Sequence, residues 1–166
     1  MKVFLDTCVL VRLSTKGETA PLFYLAVQDG DFTLVTSAYS LQEAFRTIAD
    51  PGWPPKSALA FLVNVGHLIF TGRLDVMLED VPIRWDDPTL PVCSDPGDVP
   101  IILAAQAKEC DVLVSDDKAV LGAKSPVRCV RVSDLVSELQ GRIQALNEAM
   151  PGFGSDAAAS KEPQGE

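Results

Sequence analysis

Short continuous apolar runs alternate with stretches of helical periodicity along this chain, and the alternation predicts an α/β fold. Continuous apolar runs are typical of strands that are buried on both faces of a sheet. The predicted strands are residues 3–5, 32–35, 112–114 and 127–132. Because helices separate these strands, we expect right-handed crossovers and a central parallel sheet covered on both faces, which is a three-layer α/β/α sandwich.

The helices are predicted from apolar residues spaced three and four apart and from their capping signals. They are residues 18–29, closed by Gly30; 38–48, capped by Ser37; 56–66; 99–107, capped by Asp98; and a terminal helix that starts at Ser133. Residues 9–11 begin a short helix or a loop. No element is predicted firmly over residues 67–97; within this stretch, residues 74–85 are ambiguous and leave room for a short strand.

Length and composition indicate one domain. The chain has 166 residues, of which 47% are hydrophobic and 22% charged, which is typical of a globular protein. We expect a domain over residues 1–150 and a disordered tail over 151–166, where Gly, Ser, Ala and Pro are frequent. The net charge of −9 excludes a strongly basic surface that binds nucleic acid without specificity, but it permits a local basic patch beside an acidic pocket.

The chain shows no targeting or membrane signal. Its N-terminus lacks the charged and then apolar build of a signal peptide, and its longest apolar stretch, residues 58–70, is too short to cross a bilayer. Four cysteines form no C-x-x-C pair and only one histidine is present, which argues against a structural zinc site. We expect reduced thiols in a soluble, cytoplasmic protein with no membrane partner.

Acidic residues lie near the end of the predicted sheet where ligands bind in open α/β folds. Asp6 ends the first strand, and Asp117 follows the strand over 112–114. Glu43 lies six residues beyond Ser37, and Asp98 starts the helix that precedes residues 112–114. Converging carboxylates repel one another, and a hard divalent cation offsets that repulsion. The pattern therefore predicts a site for Mg²⁺ or Mn²⁺.

Each of these acids also has a purely structural explanation. Asp6 and Asp98 suit helix N-caps, and Asp117 suits a turn. Glu43 completes a capping box if Ser40 is the N-cap. The metal-site hypothesis is favoured by the joint pattern, because chance would have to place all of these acids at one edge of one sheet.

Four segments carry a resemblance to a known family. They are Leu5-Asp6-Thr7; Ser37 with Glu43; Asp95-Pro96-Gly97-Asp98 ahead of an Ala-rich helix; and Leu113-Val114-Ser115-Asp116-Asp117-Lys118. In this order they resemble the four motifs of PIN-domain ribonucleases, over about residues 1–135. The resemblance implies the three-layer fold, metal-dependent cleavage of single-stranded RNA and, frequently, the toxin role of a VapC-like toxin–antitoxin pair.

The resemblance also assigns roles to individual residues. The catalytic and metal-binding residues would be Asp6, Glu43, Asp98 and Asp117. The supporting residues would be Ser115, which would hydrogen-bond within the site, together with Thr7, Asp95 and Asp116. Two positions depart from the family pattern: Cys8 stands where Asn is common, and Asp116 stands where Gly is frequent and adds a negative charge. Asp117, rather than Asp116, matches the family acid.

The expected reaction is hydrolysis by metal-activated water, with one or two metal ions and no nucleophilic side chain. Candidate phosphate contacts are Arg12, Lys16, Arg46, Arg73 and Lys118. For Arg46, an ion pair with Glu43 one turn earlier is the competing interpretation. The expected partners are single-stranded RNA, an antitoxin protein and a second copy of the chain in a homodimer.

Rival functions are weaker. A Ser-His-Asp triad is disfavoured because His67 has no partner that the sequence reveals. A receiver-type phosphoacceptor would need an acidic pair where this chain has Asp6-Thr7. A non-catalytic RNA- or protein-binding module of the same fold remains the alternative, and the presence of all four acids argues against it.

Overall fold

A computed structural model describes residues 1–13 and 19–149 of the chain. Its strands are β1 (Lys2–Leu5), β2 (Thr33–Ser37), β3 (Leu74–Met77), β4 (Val112–Val114) and β5 (Arg128–Val130). They form one sheet in the order β3-β2-β1-β4-β5, and every neighbouring pair is parallel. The predicted parallel sheet is confirmed, and β1 is its central strand.

Helices connect these strands. They are α1 (Thr7–Leu13), α2 (Ala20–Gln28), α3 (Ala38–Ile48), α4 (Pro55–Phe70), α5 (Val99–Ala107), α6 (Lys118–Leu121) and α7 (Val132–Ala149). Residues 9–11 belong to a helix and not to a loop. Helix α4 continues past Gly66 because Leu68 is fully buried and stabilises a further turn. The predicted tail, 151–166, and Lys16 lie outside the described residues.

The stretch from 67 to 97, for which no firm prediction was made, contains the edge strand β3. Only the first of its four residues, Leu74, is buried, so the strand lacks the apolar run of the central strands. Further on, Val92 forms an isolated antiparallel bridge with Lys124. The stretch ends in a 3₁₀ turn, Pro96–Asp98, that leads into α5.

Successive strand residues enter two different hydrophobic clusters, one on each face of the sheet. In β1, Val3 and Leu5 pack with residues of α1, α2, α3, α4 and α7. Phe4 packs on the opposite face with residues of α5 and α6. Since side chains alternate along a strand, this division confirms the three layers. Among the described helices, none is both long and apolar enough to span a bilayer.

Candidate active site

Asp6 directly follows the central strand and is almost completely buried, with 4% of its surface exposed. Its Oδ2 accepts hydrogen bonds from Ser115 Oγ and from Cys8 Sγ, the latter at 3.4 Å. Its Oδ1 accepts one from the backbone N–H of Thr7. Burial raises the pKa of Asp6, and these hydrogen bonds oppose the rise. The carboxylate is therefore held in one orientation in a poorly solvated position.

Glu43 is positioned by the N-terminus of α3. Ser37 caps this helix by accepting a hydrogen bond from the Ser40 backbone N–H at 3.1 Å, as predicted. Ser40 therefore lies inside the helix, and the capping box that would start at Ser40 does not form. Thr7 Oγ1 donates to Glu43 Oε2 at 3.1 Å. The first turn of α1 thus connects Asp6 with Glu43.

Asp98 follows a turn that another acid stabilises. Asp95 Oδ1 accepts from the Gly97 backbone N–H at 2.8 Å and caps the 3₁₀ turn. Asp98 precedes α5, but its side chain makes no capping hydrogen bond, so the cap explanation does not account for it. Burial, followed by the charges of Asp117, Asp6, Asp95 and Glu43, raises the pKa of Asp98 to about 6.

The turn after β4 separates its two adjacent acids. The Asp117 backbone N–H donates to Ser115 Oγ at 2.9 Å, and Asp117 Oδ1 caps α6 by accepting from the Ala119 backbone N–H at 2.7 Å. Asp117 thus has a structural role as a helix cap, and not only as a turn residue, and it also lines the cavity described next. Asp116 instead forms an ion pair with Arg12.

Asp6, Glu43, Asp98 and Asp117 line a single cavity of about 440 Å³, which we call the acid cavity. Its other lining residues are Thr7, Cys8, Val11, Arg12, Thr47, Trp53 and Ile101. Within the described ranges, no group of three or more His, Cys, Asp or Glu side chains is already arranged to hold a metal ion. The carboxylates are close enough to perturb the Asp98 pKa, and the volume of the cavity that they line exceeds that of an ion with its water.

The donor chemistry of the acid cavity fits a hard divalent cation. The four acids offer carboxylate oxygen only, which suits Mg²⁺ and Mn²⁺. Burial and the Asp6 charge raise the pKa of the Cys8 thiol to about 11. Cys8 is therefore protonated near neutral pH and donates to Asp6 rather than acting as a soft thiolate ligand. No disulfide forms among the cysteines, all of which lie in the described ranges.

The candidate phosphate contacts fall in different places. Arg12 lines the acid cavity while it is paired with Asp116. Arg46 and Lys118 are exposed on α3 and α6. Among the residues that the structure describes, Arg46 and Glu43 form no ion pair. Arg73 precedes β3 and so lies at the amino end of the strands, opposite the acids.

Two aromatic side chains at the site were missed in the sequence. Trp53 lines the acid cavity, although in the sequence it stands only beside Pro54 and Pro55, ahead of a predicted helix. Burial and a hydrogen bond with Glu43 raise the pKa of Tyr39. Its position four residues before Glu43 on one helix was the available signal. Tyr39 also lines a smaller cavity of about 200 Å³ next to α5.

A family model described as a PIN domain matches residues 2–119. The fold is similar to VapBC2 from Rickettsia felis bound to a DNA fragment from its promoter, with a TM-score of 0.50 and 16% identity over 79% of this chain and 98% of that chain. It is also similar to PAE2754 from Pyrobaculum aerophilum, with a TM-score of 0.54 and 16% identity over 85% of this chain and 96% of that chain. No curated protein sequence matches the chain. Because the family model spans most of the chain and includes all four acids of the cavity, this protein belongs to the PIN domain family, whose members are generally nucleases that use divalent metals.

Proposed function

We propose that this protein is a metal-dependent endoribonuclease that hydrolyses phosphodiester bonds in single-stranded RNA. The observation that supports this most strongly is the acid cavity, where carboxylates from distant parts of the chain share one solvent-accessible space. Burial, and after it the charges of the neighbouring acids, raises the pKa of Asp98. A divalent cation relieves such repulsion, so the cavity has the electrostatics of a metal site.

Mg²⁺ or Mn²⁺ would be held by Asp6, Glu43, Asp98 and Asp117, and when bound it would supply Lewis-acid activation of water and neutralise charge on the phosphate. Ser115 holds the buried Asp6 carboxylate, and Thr7 holds Glu43. These hydroxyls act as positioning residues. Arg12 lines the same cavity, where its guanidinium can bind a substrate phosphate.

We further propose a protein partner for the outer face of α4. Leu59, Leu62, Val63 and Phe70 are 49–92% exposed there, and Leu62, Val63 and Phe70 follow at three, four and eleven residues from Leu59, which places them on one helix face. A contiguous exposed apolar face is typical of an interaction site. An antitoxin is the partner that the similarity to VapBC2 suggests, and a second copy of this chain is the other. Light scattering with and without the co-expressed product of the neighbouring reading frame distinguishes them.

The decisive experiment compares wild type with Asp6→Asn on a mixed-sequence single-stranded RNA in Mn²⁺, Mg²⁺ and EDTA. We expect wild type to cut in the metals and not in EDTA, and Asp6→Asn to show no cutting above background. Asp31→Asn is the matched control, because this exposed acid precedes β2 at the opposite end of the sheet. Full activity of Asp6→Asn, or undiminished cutting in EDTA, contradicts the proposal.

A further inference from the structure

A shallow groove adjoins the acid cavity beyond the end of α3. Its lining residues are Arg46, Thr47, Asp50, Gly52 and Trp53, and its volume is about 560 Å³. We call it the Trp53 groove. Thr47 and Trp53 also line the acid cavity. The two spaces are therefore adjacent, and a chain bound in one can extend into the other.

Trp53 is held rigidly in the link between α3 and α4. The ring is half-buried and packs against the larger hydrophobic cluster. The Trp53 backbone N–H donates to the Asp50 carbonyl oxygen at 2.9 Å, and Pro51 and Pro54 restrict the backbone on either side. A side chain fixed in this way loses little conformational entropy when a ligand stacks on it.

Arg46 supplies the positive charge of the groove. It is exposed in the last turn of α3, and no acid in the described ranges forms an ion pair with it. The acid that shares the groove, Asp50, uses Oδ1 to accept from the Gly52 backbone N–H at 2.8 Å. The Arg46 guanidinium is thus available to an anion, in a protein whose net charge is −9.

We propose that the Trp53 groove binds one nucleotide of a single-stranded RNA next to the cleaved bond, with its base stacked on Trp53 and its phosphate paired with Arg46. This inference rests on the proposed nuclease function. An aromatic platform combined with a cation is how proteins bind single strands without reading their sequence. A peptide partner would also contact an aromatic ring, but the pairing of a flat ring with a free guanidinium favours a nucleotide.

The test is RNA binding, measured at low salt. Ca²⁺ is present to neutralise the acids. The chain has two tryptophans, so Trp85→Phe leaves Trp53 as the sole tryptophan reporter. We expect a mixed-sequence RNA hexamer to quench its emission saturably. By anisotropy of a labelled hexamer, Trp53→Ala should weaken binding roughly 5- to 150-fold, and Trp53→Phe, which preserves the packing, should weaken it less.

Arg46→Gln should lower the slope of log K against log salt by about 0.7. Arg73→Gln is the matched control, since Arg73 lies at the opposite end of the sheet, and it should leave the affinity unchanged. The inference is overturned if RNA does not alter Trp53 emission, or if Trp53→Ala, Trp53→Phe and Arg46→Gln all bind like wild type. Quenching by hexaglutamate and not by RNA overturns it in favour of an acidic protein partner.

The same variants separate this inference from the nuclease proposal. If wild type cuts RNA and the Trp53→Ala and Arg46→Gln variants cut it with the same KM, the groove assignment fails and the nuclease proposal stands. If RNA binds through Trp53 and no metal supports cutting, the groove assignment stands and the nuclease proposal fails.

Discussion

Asp6 and Asp98 differ in the hydrogen bonds and neighbouring charges around their carboxylates. Asp6 is buried, and hydrogen bonds from Ser115, Cys8 and Thr7 compensate part of its lost hydration. Asp98 has no capping hydrogen bond, and neighbouring acids add to the effect of its partial burial. Asp98 is therefore an acid of the cavity whose pKa is raised first by burial and then by the charges of Asp117, Asp6, Asp95 and Glu43.

The first prediction concerns the stability of the metal-free protein against pH. The folded-state pKa of Asp98, about 6, lies above the ordinary pKa of an aspartate, 3.8, so the folded protein binds more protons than the unfolded chain between these pH values. The stability that the protonated Asp98 contributes to the folded state is fully present below pH 3.8 and is lost as the pH rises through 6. Asp98→Asn should therefore gain stability relative to wild type across this window.

Urea unfolding in EDTA at several pH values measures this difference. Asp31→Asn is the control, because it lies away from the cluster. A difference between Asp98→Asn and wild type that is flat from pH 4 to 7 would show that Asp98 does not share the cavity charge.

The second prediction separates the adjacent acids of the turn after β4. Asp117→Asn keeps a residue that caps α6 and removes a charge from the acid cavity, so cleavage should fall at least about 100-fold. Asp116→Asn removes the partner of Arg12 and should cost less than about tenfold. Single-turnover cleavage rates decide between them, and the reverse ranking would assign the site acid to position 116.

At the level of elements, α3 carries Glu43, and the last residue of β2 supplies the cap of this helix. Ser37 ends β2 and caps α3, so Glu43 keeps a fixed position relative to the strand ends. On the other side of the cavity, α1 contributes Thr7 to the same carboxylate. The two helices pack closely against each other, and the geometry of Glu43 depends on both.

The third prediction concerns the cap of α3. Ser37→Ala should lower the free energy of unfolding by about 1 kcal/mol, because the Ser40 backbone N–H loses its acceptor. Ser37→Thr retains an oxygen at the same place and should cost less. Urea denaturation measures both variants, and equal stability of wild type and Ser37→Ala would show that the cap contributes nothing to α3.

At the scale of the whole molecule, the parallel sheet gathers negative charge at its carboxyl end. Parallel strands bring the segments after β1, β2 and β4 to one end, and each of these segments supplies an acid. Burial of apolar side chains on both faces of the sheet stabilises this arrangement against the repulsion. A bound cation should then act on the stability of the entire fold.

The fourth prediction is that divalent metal raises the melting temperature. Mn²⁺ at about 100 times its dissociation constant stabilises the folded state by about 2.7 kcal/mol, which corresponds to roughly 5–11 °C for a domain of this size. Asp98→Asn should show a smaller rise, and Asp31→Asn the same rise as wild type. A thermal scan with and without Mn²⁺ provides the measurement, and equal shifts in wild type and Asp98→Asn would remove Asp98 from the metal site.

The sequence by itself determined the central strands, most helices and the position of each acid relative to a strand end. These features depend on local patterns, since buried parallel strands are continuously apolar and a cap such as Ser37 acts within one turn. The family resemblance rested on the same local motifs and was confirmed by the match over residues 2–119. The edge strand β3 lies within residues 74–85, where the sequence allowed a short strand without predicting it firmly, because the strand buries little of its surface.

The tertiary structure alone decided which side chains meet. The pairing of Asp116 with Arg12 joins residues 104 positions apart, and the contact of Thr7 with Glu43 joins residues 36 apart. The place of Trp53 between the acid cavity and its neighbouring groove likewise depends on how α3 and α4 pack against α1. Such contacts are set by the packing of whole elements, and no periodicity within a single segment encodes them.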